Sequence, residues 1–153
     1  MPLSSVLTYL TGAFFATSIL LHIDACIQQK ITYGSDVAWY SHFPLVVSGV
    51  VFFAMNLVSI NDFKGSNAFD EQNYRNRTYF MIAWLFVNYF TLFVSLMASV
   101  ALFVAGVADA GNGLGTYSAI VILVANLLMA LSSFVFFFGR YEWERKKLDY
   151  DIM

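Results

Sequence analysis

Residues 78–108 have the sequence TYFMIAWLFVNYFTLFVSLMASVALFVAGVA, a stretch of 31 residues without one charged side chain. An α-helix rises 1.5 Å per residue, so this stretch is about 46 Å long as a helix, longer than the ~30 Å hydrocarbon core of a bilayer. Such a helix has to tilt or extend beyond the bilayer. The stretch does not alternate between apolar and polar residues as a transmembrane β-strand does, and it therefore predicts a membrane-crossing helix.

Three more apolar stretches lack Lys, Arg and Glu, namely Val6–Ile27, Phe43–Ile60 and Thr116–Gly139. The whole chain is 59% hydrophobic and 12% charged, whereas soluble domains carry roughly 25% charged residues. These features predict an all-α membrane protein, a single four-transmembrane-helix bundle over residues 1–153. The predicted helices cover about residues 5–27, 40–61, 77–108 and 115–141, followed by a short tail over 142–153.

The basic residues indicate how the bundle faces the membrane. All eight Lys and Arg residues lie outside the four apolar stretches: Lys64, Arg75 and Arg77 lie between the second and third stretches, four follow the fourth stretch, and Lys30 alone lies between the first and second. Because Lys and Arg concentrate on the cytosolic side, both termini are predicted to be cytosolic. The Asn76-Arg77-Thr78 sequon falls on that same side, and we expect it to carry no glycan.

Small and hydrogen-bonding residues predict which helix faces make contacts, because helices in lipid gain little from burying apolar side chains. Asparagines within apolar stretches should point inward, since an unpaired amide in hydrocarbon costs several kcal/mol. Interhelical hydrogen bonds are the first interpretation of these asparagines, and a polar path for a solute is the alternative. The residues expected to contact the bundle or a partner are Asp24, Gly12, Ala16, Asn56, Asn88, Ser95, Ser99, Asn126 and Ala130.

The segment LLHIDACIQQK, residues 20–30, is the one cluster with ligand-type side chains. Successive helical residues are about 100° apart, so His22 and Asp24 would point to nearly opposite sides. A metal site would need His42 to return beside His22 or Cys26, and no HxxxH or CxxC spacing supports it. GxSxG and HExxH motifs are also missing. We therefore expect no catalytic residues, no cofactor, no metal and no enzymatic activity.

Asp24 is unusual for a different reason. It lies about a turn before the predicted end of the first helix, where the negative end of the helix dipole disfavours an anion. A carboxylate in the membrane also costs a few kcal/mol. Water, protonation or a neighbouring group should compensate, and the nearest candidates along the chain are His42, Tyr40 and Lys30. A partner protein is the other possibility.

Four segments resemble the transmembrane protein 50 family, whose fungal members are the vacuolar protein sorting 68 proteins. They are GAFFATSILLHIDACI (12–27), FFAMNLVS (52–59), the segment 77–99 with WLFV and SLMAS, and ANLLMALSSFVFFFGR (125–140). The first is similar to the family's glycine-aromatic opening and its Ile-Asp-Ala near the helix end. The last is similar to an asparagine-containing fourth helix that ends in Phe-Gly-Arg. His22 departs from the family, which usually has an apolar residue there.

The resemblance implies a non-enzymatic multipass protein of endosomal, Golgi or vacuolar membranes that acts in protein sorting. It also implies a small multipass partner similar to vacuolar protein sorting 55. Two alternatives stay open from the residues alone: an accessory subunit of a large membrane complex, such as a proton pump or respiratory assembly, and a small-solute transporter or channel. The net charge of −2 gives no sign of nucleic-acid binding. Besides a protein partner, the apolar helices are expected to contact membrane lipid.

The end of the chain carries a possible sorting signal. Tyr150 and Met153 have the tyrosine-x-x-bulky-apolar spacing. Adaptor proteins bind such a peptide as an added strand, with pockets for the tyrosine and the apolar residue. A match by chance is the alternative, because the chain contains nine tyrosines.

Overall fold

The computed structural model describes residues 3–57, 71–108 and 114–151, with side chains described for 5–57, 79–107 and 114–139. The regular secondary structure of these residues is all helical. The α-helices are α1 (Leu3–Tyr33), α2 (Phe43–Asn56), α3 (Glu71–Ala108) and α4 (Thr116–Asp151), and a 3-10 helix (Trp39–His42) precedes α2.

Three of these helices are long and apolar enough to cross a membrane. Their candidate spans are Ser5–Tyr33, Tyr79–Val107 and Thr116–Gly139. The α2 helix has 14 residues, fewer than the ~20 that a membrane-spanning helix needs. Its length is about 21 Å, compared with a hydrocarbon core of about 30 Å. The sequence predicts a helix over 40–61. In the structure residues 39–42 form the 3-10 turn instead, and residues 58–61 lie outside the described part of the chain.

Local signals explain where α1 ends and α2 begins. Gly34 has a φ of 65°, and its N–H donates to the Lys30 carbonyl over 3.0 Å. Glycine adopts this left-handed conformation without a steric penalty, which is a common way to end a helix. Pro44 lies in the first turn of α2, where its missing N–H costs no helical hydrogen bond.

The α3 and α4 helices extend beyond the ends that hydropathy predicts. The α3 helix begins at Glu71 rather than near residue 77, and α4 continues through the predicted tail to Asp151. Glu, Lys and Arg are good helix formers, so the chain stays helical where its apolar residues end. Hydropathy detects the part of a helix that suits the membrane, not the end of the helix.

The α4 helix is the central element of the described bundle, because it packs against α1, α2 and α3, and α2 also packs against α3. In its most apolar window 44% of the residues are buried, compared with 17% in α1 and 22% in α3. The other helices therefore direct more of their apolar surface outward, as expected for surfaces that contact lipid.

Two apolar clusters lie along α4. One contains Ile122 and Ala119 with Ala25 of α1. The other contains Ala130 with Val51 of α2 and Leu92 of α3. Asn126 is one helical turn from both Ile122 and Ala130, and its side chain is fully buried. A polar layer therefore separates the two clusters.

Candidate functional site

The polar layer joins α2, α3 and α4 through the side chain of Asn126. Its Nδ2 donates to Ser99 Oγ over 2.7 Å and to the carbonyl of Ser95 over 3.1 Å. Its Oδ1 accepts from Ser48 Oγ over 2.6 Å. Ser95 Oγ lies 2.8 Å from Ser48 Oγ and also donates to the Pro44 carbonyl over 2.6 Å. Both N–H groups of the Asn126 amide donate a hydrogen bond and its oxygen accepts one. Each serine hydroxyl has only one proton to donate, so Ser48 and Ser95 share their protons among these contacts.

The other two predicted asparagines bond within their own helices. Asn56 Nδ2 donates to the Phe52 carbonyl, and Asn88 Nδ2 donates to the Trp84 carbonyl, each over 2.7 Å. A bond to the carbonyl one turn back satisfies an amide without another helix. For Asn88 this corrects the expectation of an interhelical hydrogen bond. Trp84, which the sequence analysis did not select, makes such a bond instead, because its Nε1 donates to the Ala54 carbonyl over 3.2 Å.

Asp24 has its compensating neighbour in α4. The Tyr117 hydroxyl donates to Asp24 Oδ2 over 2.7 Å. None of the three candidates proposed from the sequence has this role: Lys30 Nζ lies 3.0 Å from Asp36 Oδ1, His42 contacts His22, and Tyr40 packs on Trp39. The positions of Asp24 and Tyr117 are 93 residues apart, so neighbours along the chain could not indicate this bond.

Hydrogen bonds between side chains and backbone groups also join the end of α1 to the start of α4. Gln29 is fully buried, and its Oε1 accepts from the Gly115 N–H over 2.9 Å. Ser118 Oγ donates to the Ala25 carbonyl over 3.2 Å. The ring of Tyr33 lies so close to Gly115 that a Cβ at this position would overlap it. Only glycine fits there without displacing Tyr33.

The face of α1 that meets the bundle is not the predicted one. Its buried positions include Thr11, Ser18, His22 and Gln29, whereas Gly12 and Ala16 are exposed. No atom lies within 4 Å of a Cβ built on Gly12. Both sets recur at helical spacing, so periodicity alone could not choose between them. The prediction that Gly12 and Ala16 contact the bundle is wrong, while their contact with a partner stays a prediction.

The predicted small residues of α3 and α4 do face inward. Ser95, Ser99, Asn126 and Ala130 are all buried.

Of the predicted sorting signal, Tyr150 lies in the last turn of α4, and Met153 lies outside the described residues.

Two histidines and the cysteine meet where α1 passes the 3-10 helix. His22 Nε2 lies 2.7 Å from His42 Nδ1, and the planes of the two rings are inclined by 71°. The Cys26 thiol joins them, because one donor atom from each of the three residues lies within 4.8 Å of the other two. The i, i+4 spacing of His22 and Cys26 places both on one face of α1. This HxxxC spacing is the sequence signal for the cluster, and it differs from the HxxxH and CxxC spacings.

A groove runs along the outside of the bundle between α2 and α3. Its volume is about 420 Å³, and its walls are almost entirely apolar, with Phe43 and Val47 on α2 and Val94 and Ala98 on α3. Tyr40 closes one part of it. Apolar side chains therefore form most of this surface.

The fold and the polar contacts define a class: an all-helical protein in which three helices have the length and composition of membrane spans, compatible with an integral membrane protein. The chain belongs to an uncharacterised protein family, UPF0220, which it matches over residues 2–144. No curated protein and no solved structure matches it. The family description does not name the transmembrane protein 50 family, so that resemblance stays a prediction.

Proposed function

We propose that this protein is a non-enzymatic multipass membrane protein that binds a second small multipass protein through the outer face of α1. In this proposal α2 is the fourth membrane helix, because its apolar stretch continues to Ile60 in the sequence; both termini are in the cytosol, and the protein acts in endosomal or vacuolar protein sorting. The observation that carries the partner role is the exposure of Gly12 and Ala16 on a helix whose opposite face is bound to α4. The sequence resemblance supports the sorting role and the kind of partner.

The polar layer supports a structural role over transport. Asn126, Ser48, Ser95 and Ser99 use their hydrogen-bonding groups on one another. Their side chains are at most 4% exposed. A path for a solute needs polar groups that face water across the midplane. Bonds among these four side chains join α2, α3 and α4, which supports a structural role.

The outer face of α1 has the properties of a helix-binding surface in a membrane. Helices associate in lipid where small residues let two backbones approach closely. Gly12 and Ala16 are one turn apart, and the space beside Gly12 is open. The neighbouring exposed side chains, Ile19, Leu20 and Ile23, are apolar. A partner with an apolar transmembrane helix fits this face.

Affinity purification of the full-length protein in mild detergent tests the proposal. We expect a stoichiometric small membrane protein to copurify with the wild type. In Gly12→Ile and Ala16→Ile, the larger side chains should hold the two helices apart, so most of the partner should be lost. Gly49→Ile is the matched control, because Gly49 also has open space beside it but lies on α2.

The thermal stability of the purified chain should stay the same in the two α1 variants, since neither residue packs in the bundle. A wild-type protein that purifies alone would contradict the partner role, as would variants that keep the partner. Comigration on a native gel with a proton pump or respiratory assembly would replace the proposed partner with a large complex. If the α1 variants lose the partner in endosomal fractions but the cells show no sorting defect, the sorting role is contradicted and the partner role is not.

A further inference from the structure

Three side chains with metal-ligating atoms converge at one place in the described bundle. His22 and Cys26 lie on successive turns of α1, and His42 is the last residue of the 3-10 helix. One donor atom from each lies within 4.8 Å of the other two. The three residues come from two elements separated by the first connection, so the fold, and not one local motif, creates the cluster.

One atom of the cluster and one atom in each of two residues near it in the chain lack a hydrogen-bond partner. In the described side chains, three buried nitrogen or oxygen atoms lack a hydrogen-bond partner: Ser18 Oγ, His22 Nδ1 and Ser41 Oγ. Ser18 is one helical turn before His22, and Ser41 precedes His42 in the chain. His22 is only 8% exposed. Buried polar groups are normally paired, and His22 Nδ1 is an exception within the cluster itself.

A hydrogen bond between the two histidines does not satisfy this site. If His22 donates from Nε2 to His42 Nδ1, its own Nδ1 is a buried acceptor without a donor. If His22 carries its proton on Nδ1, that N–H is buried without an acceptor. The histidine pair alone therefore does not fix which nitrogen of His22 carries the proton, whereas a metal ion on Nε2 would place the proton on Nδ1.

The donor set selects a particular class of cation. Two imidazoles and one thiolate suit Zn²⁺ and Cu⁺, whereas Mg²⁺ and Ca²⁺ prefer oxygen ligands. Asp24, the nearest carboxylate along α1, is bonded to Tyr117 and does not add oxygen to the set. Three protein ligands leave a fourth position open, as in zinc sites that exchange a ligand.

We propose that His22, Cys26 and His42 bind one d¹⁰ metal cation, Zn²⁺ or Cu⁺, between α1 and the start of α2. On binding, the Cys26 thiol loses its proton to solvent, and its sulfur and one nitrogen of each histidine become ligands. Two nitrogens bound to a tetrahedral Zn²⁺ are about 3.3 Å apart, whereas the rings now approach to 2.7 Å. The rings therefore separate slightly, while Cys26 moves closer. This site does not depend on the proposed sorting function.

Metal titration of the purified full-length protein, reduced and free of a histidine tag, tests the site. Zn²⁺ and Cu⁺ are titrated separately against a chromogenic chelator, the Cu⁺ series without oxygen, and the metal content of the protein as isolated identifies the cation. We expect one ion per chain. Co²⁺ is the spectroscopic probe, because thiolate coordination gives a charge-transfer band in the near ultraviolet that imidazole coordination does not.

Cys26→Ser should abolish the Co²⁺ charge-transfer band and weaken binding of the selected cation by at least about 100-fold. His42→Ala should weaken binding similarly. The matched control is Asp24→Asn, a charge change on the same turn of α1, which should keep both the stoichiometry and the band. Cys26→Ser retains both histidines and nearly the same volume, so it reports on the site even if His42→Ala does not fold.

A wild-type protein that retains no ion would overturn the proposal and leave only a hydrogen-bonded histidine pair. Equal affinity in the wild type and in Cys26→Ser would overturn it too, because the ion would then be bound elsewhere. Circular dichroism of each variant confirms that its helices are intact before the affinities are compared.

Discussion

The asparagines in the apolar stretches show how the same residue type serves two different purposes. Asn126 bonds three serines on two other helices, whereas Asn88 bonds the carbonyl one turn back in α3. The first arrangement specifies how the helices pack together. The second only satisfies the amide in an apolar environment. Burial alone does not separate these cases, because both side chains are buried.

Asn126→Ala should therefore reduce stability more than Asn88→Ala. The substitution leaves Ser48, Ser95 and Ser99 without their common partner, and we expect a loss of about 1–2 kcal/mol, as for several interhelical hydrogen bonds in a membrane. Asn88→Ala removes only a bond within one helix. Unfolding of the purified protein by a denaturing detergent measures both values. Equal losses would contradict the role of the polar layer.

At this scale the sequence predicted residue types better than residue pairs. An asparagine within 20 apolar residues has to be satisfied, and that requirement pointed to Asn126. The contact between Asp24 and Tyr117 could not be predicted, because it depends on how α1 and α4 align. His42 returns to His22 only because the 3-10 helix turns the chain back after Gly34.

The helices approach each other closely at the glycines of α3 and α4. A Cβ on Gly106 would lie 2.9 Å from the Cβ of Ala119, and a Cβ on Gly139 would lie 3.1 Å from the Cβ of Leu7. The neighbour at Gly106 is itself a Cβ on a helix, so it cannot rotate away. The α3 and α4 backbones would have to separate there.

Gly106→Ala should accordingly destabilise the bundle by about 1–3 kcal/mol, the usual range for overpacking. Gly12→Ala and Gly49→Ala are matched controls on other helices, because nothing lies within 4 Å of either new Cβ. Both controls should be neutral or slightly stabilising, since alanine favours a helix over glycine. Thermal unfolding in detergent gives the comparison. A stable Gly106→Ala would contradict the close contact of α3 with α4.

The helical end of α4 bears on the possible sorting signal. Tyr150 is in the last turn of α4, and an adaptor binds a tyrosine signal as an extended strand. The last turn would have to unwind before it could bind. We therefore expect Tyr150→Ala to leave the steady-state location of the protein unchanged in imaging of tagged cells. Redistribution to the cell surface in this variant, but not in Tyr141→Ala, would show that the signal is used.

Element existence followed from the sequence, and element ends did not. Apolar length identified each helix that has the composition of a membrane span. Charged helix formers extend α3 and α4 beyond those spans, where hydropathy carries no information. The described α2 begins later than predicted because residues 39–42 form a 3-10 turn.

For the whole molecule, the uneven distribution of basic residues gives a prediction of orientation. With both termini cytosolic, the first connection faces the lumen and the start of α3 faces the cytosol. Asn76 lies within α3 and should carry no glycan.

Impermeant maleimide labelling of sealed vesicles measures the orientation. In a Cys26→Ser background, Asp36→Cys should react only from the luminal side, because Asp36 is exposed in the first connection. Lys147→Cys should react only from the cytosolic side. Labelling of both cysteines after detergent treatment is the control. The reverse pattern, or a glycan on Asn76, would invert the topology.

The continuity of α4 has a mechanical consequence. This helix runs without interruption from Thr116 to Asp151, and its candidate span ends at Gly139. Its last twelve residues therefore project about 18 Å beyond the span, and Asp151 lies about 38 Å along the axis from Asn126. A rigid rod of that length acts as a lever. A tilt of about 10° at the polar layer would swing its far end by about 6–7 Å. A change of helix packing at the polar layer would therefore displace the far end of α4, because the helix is continuous between Asn126 and Asp151.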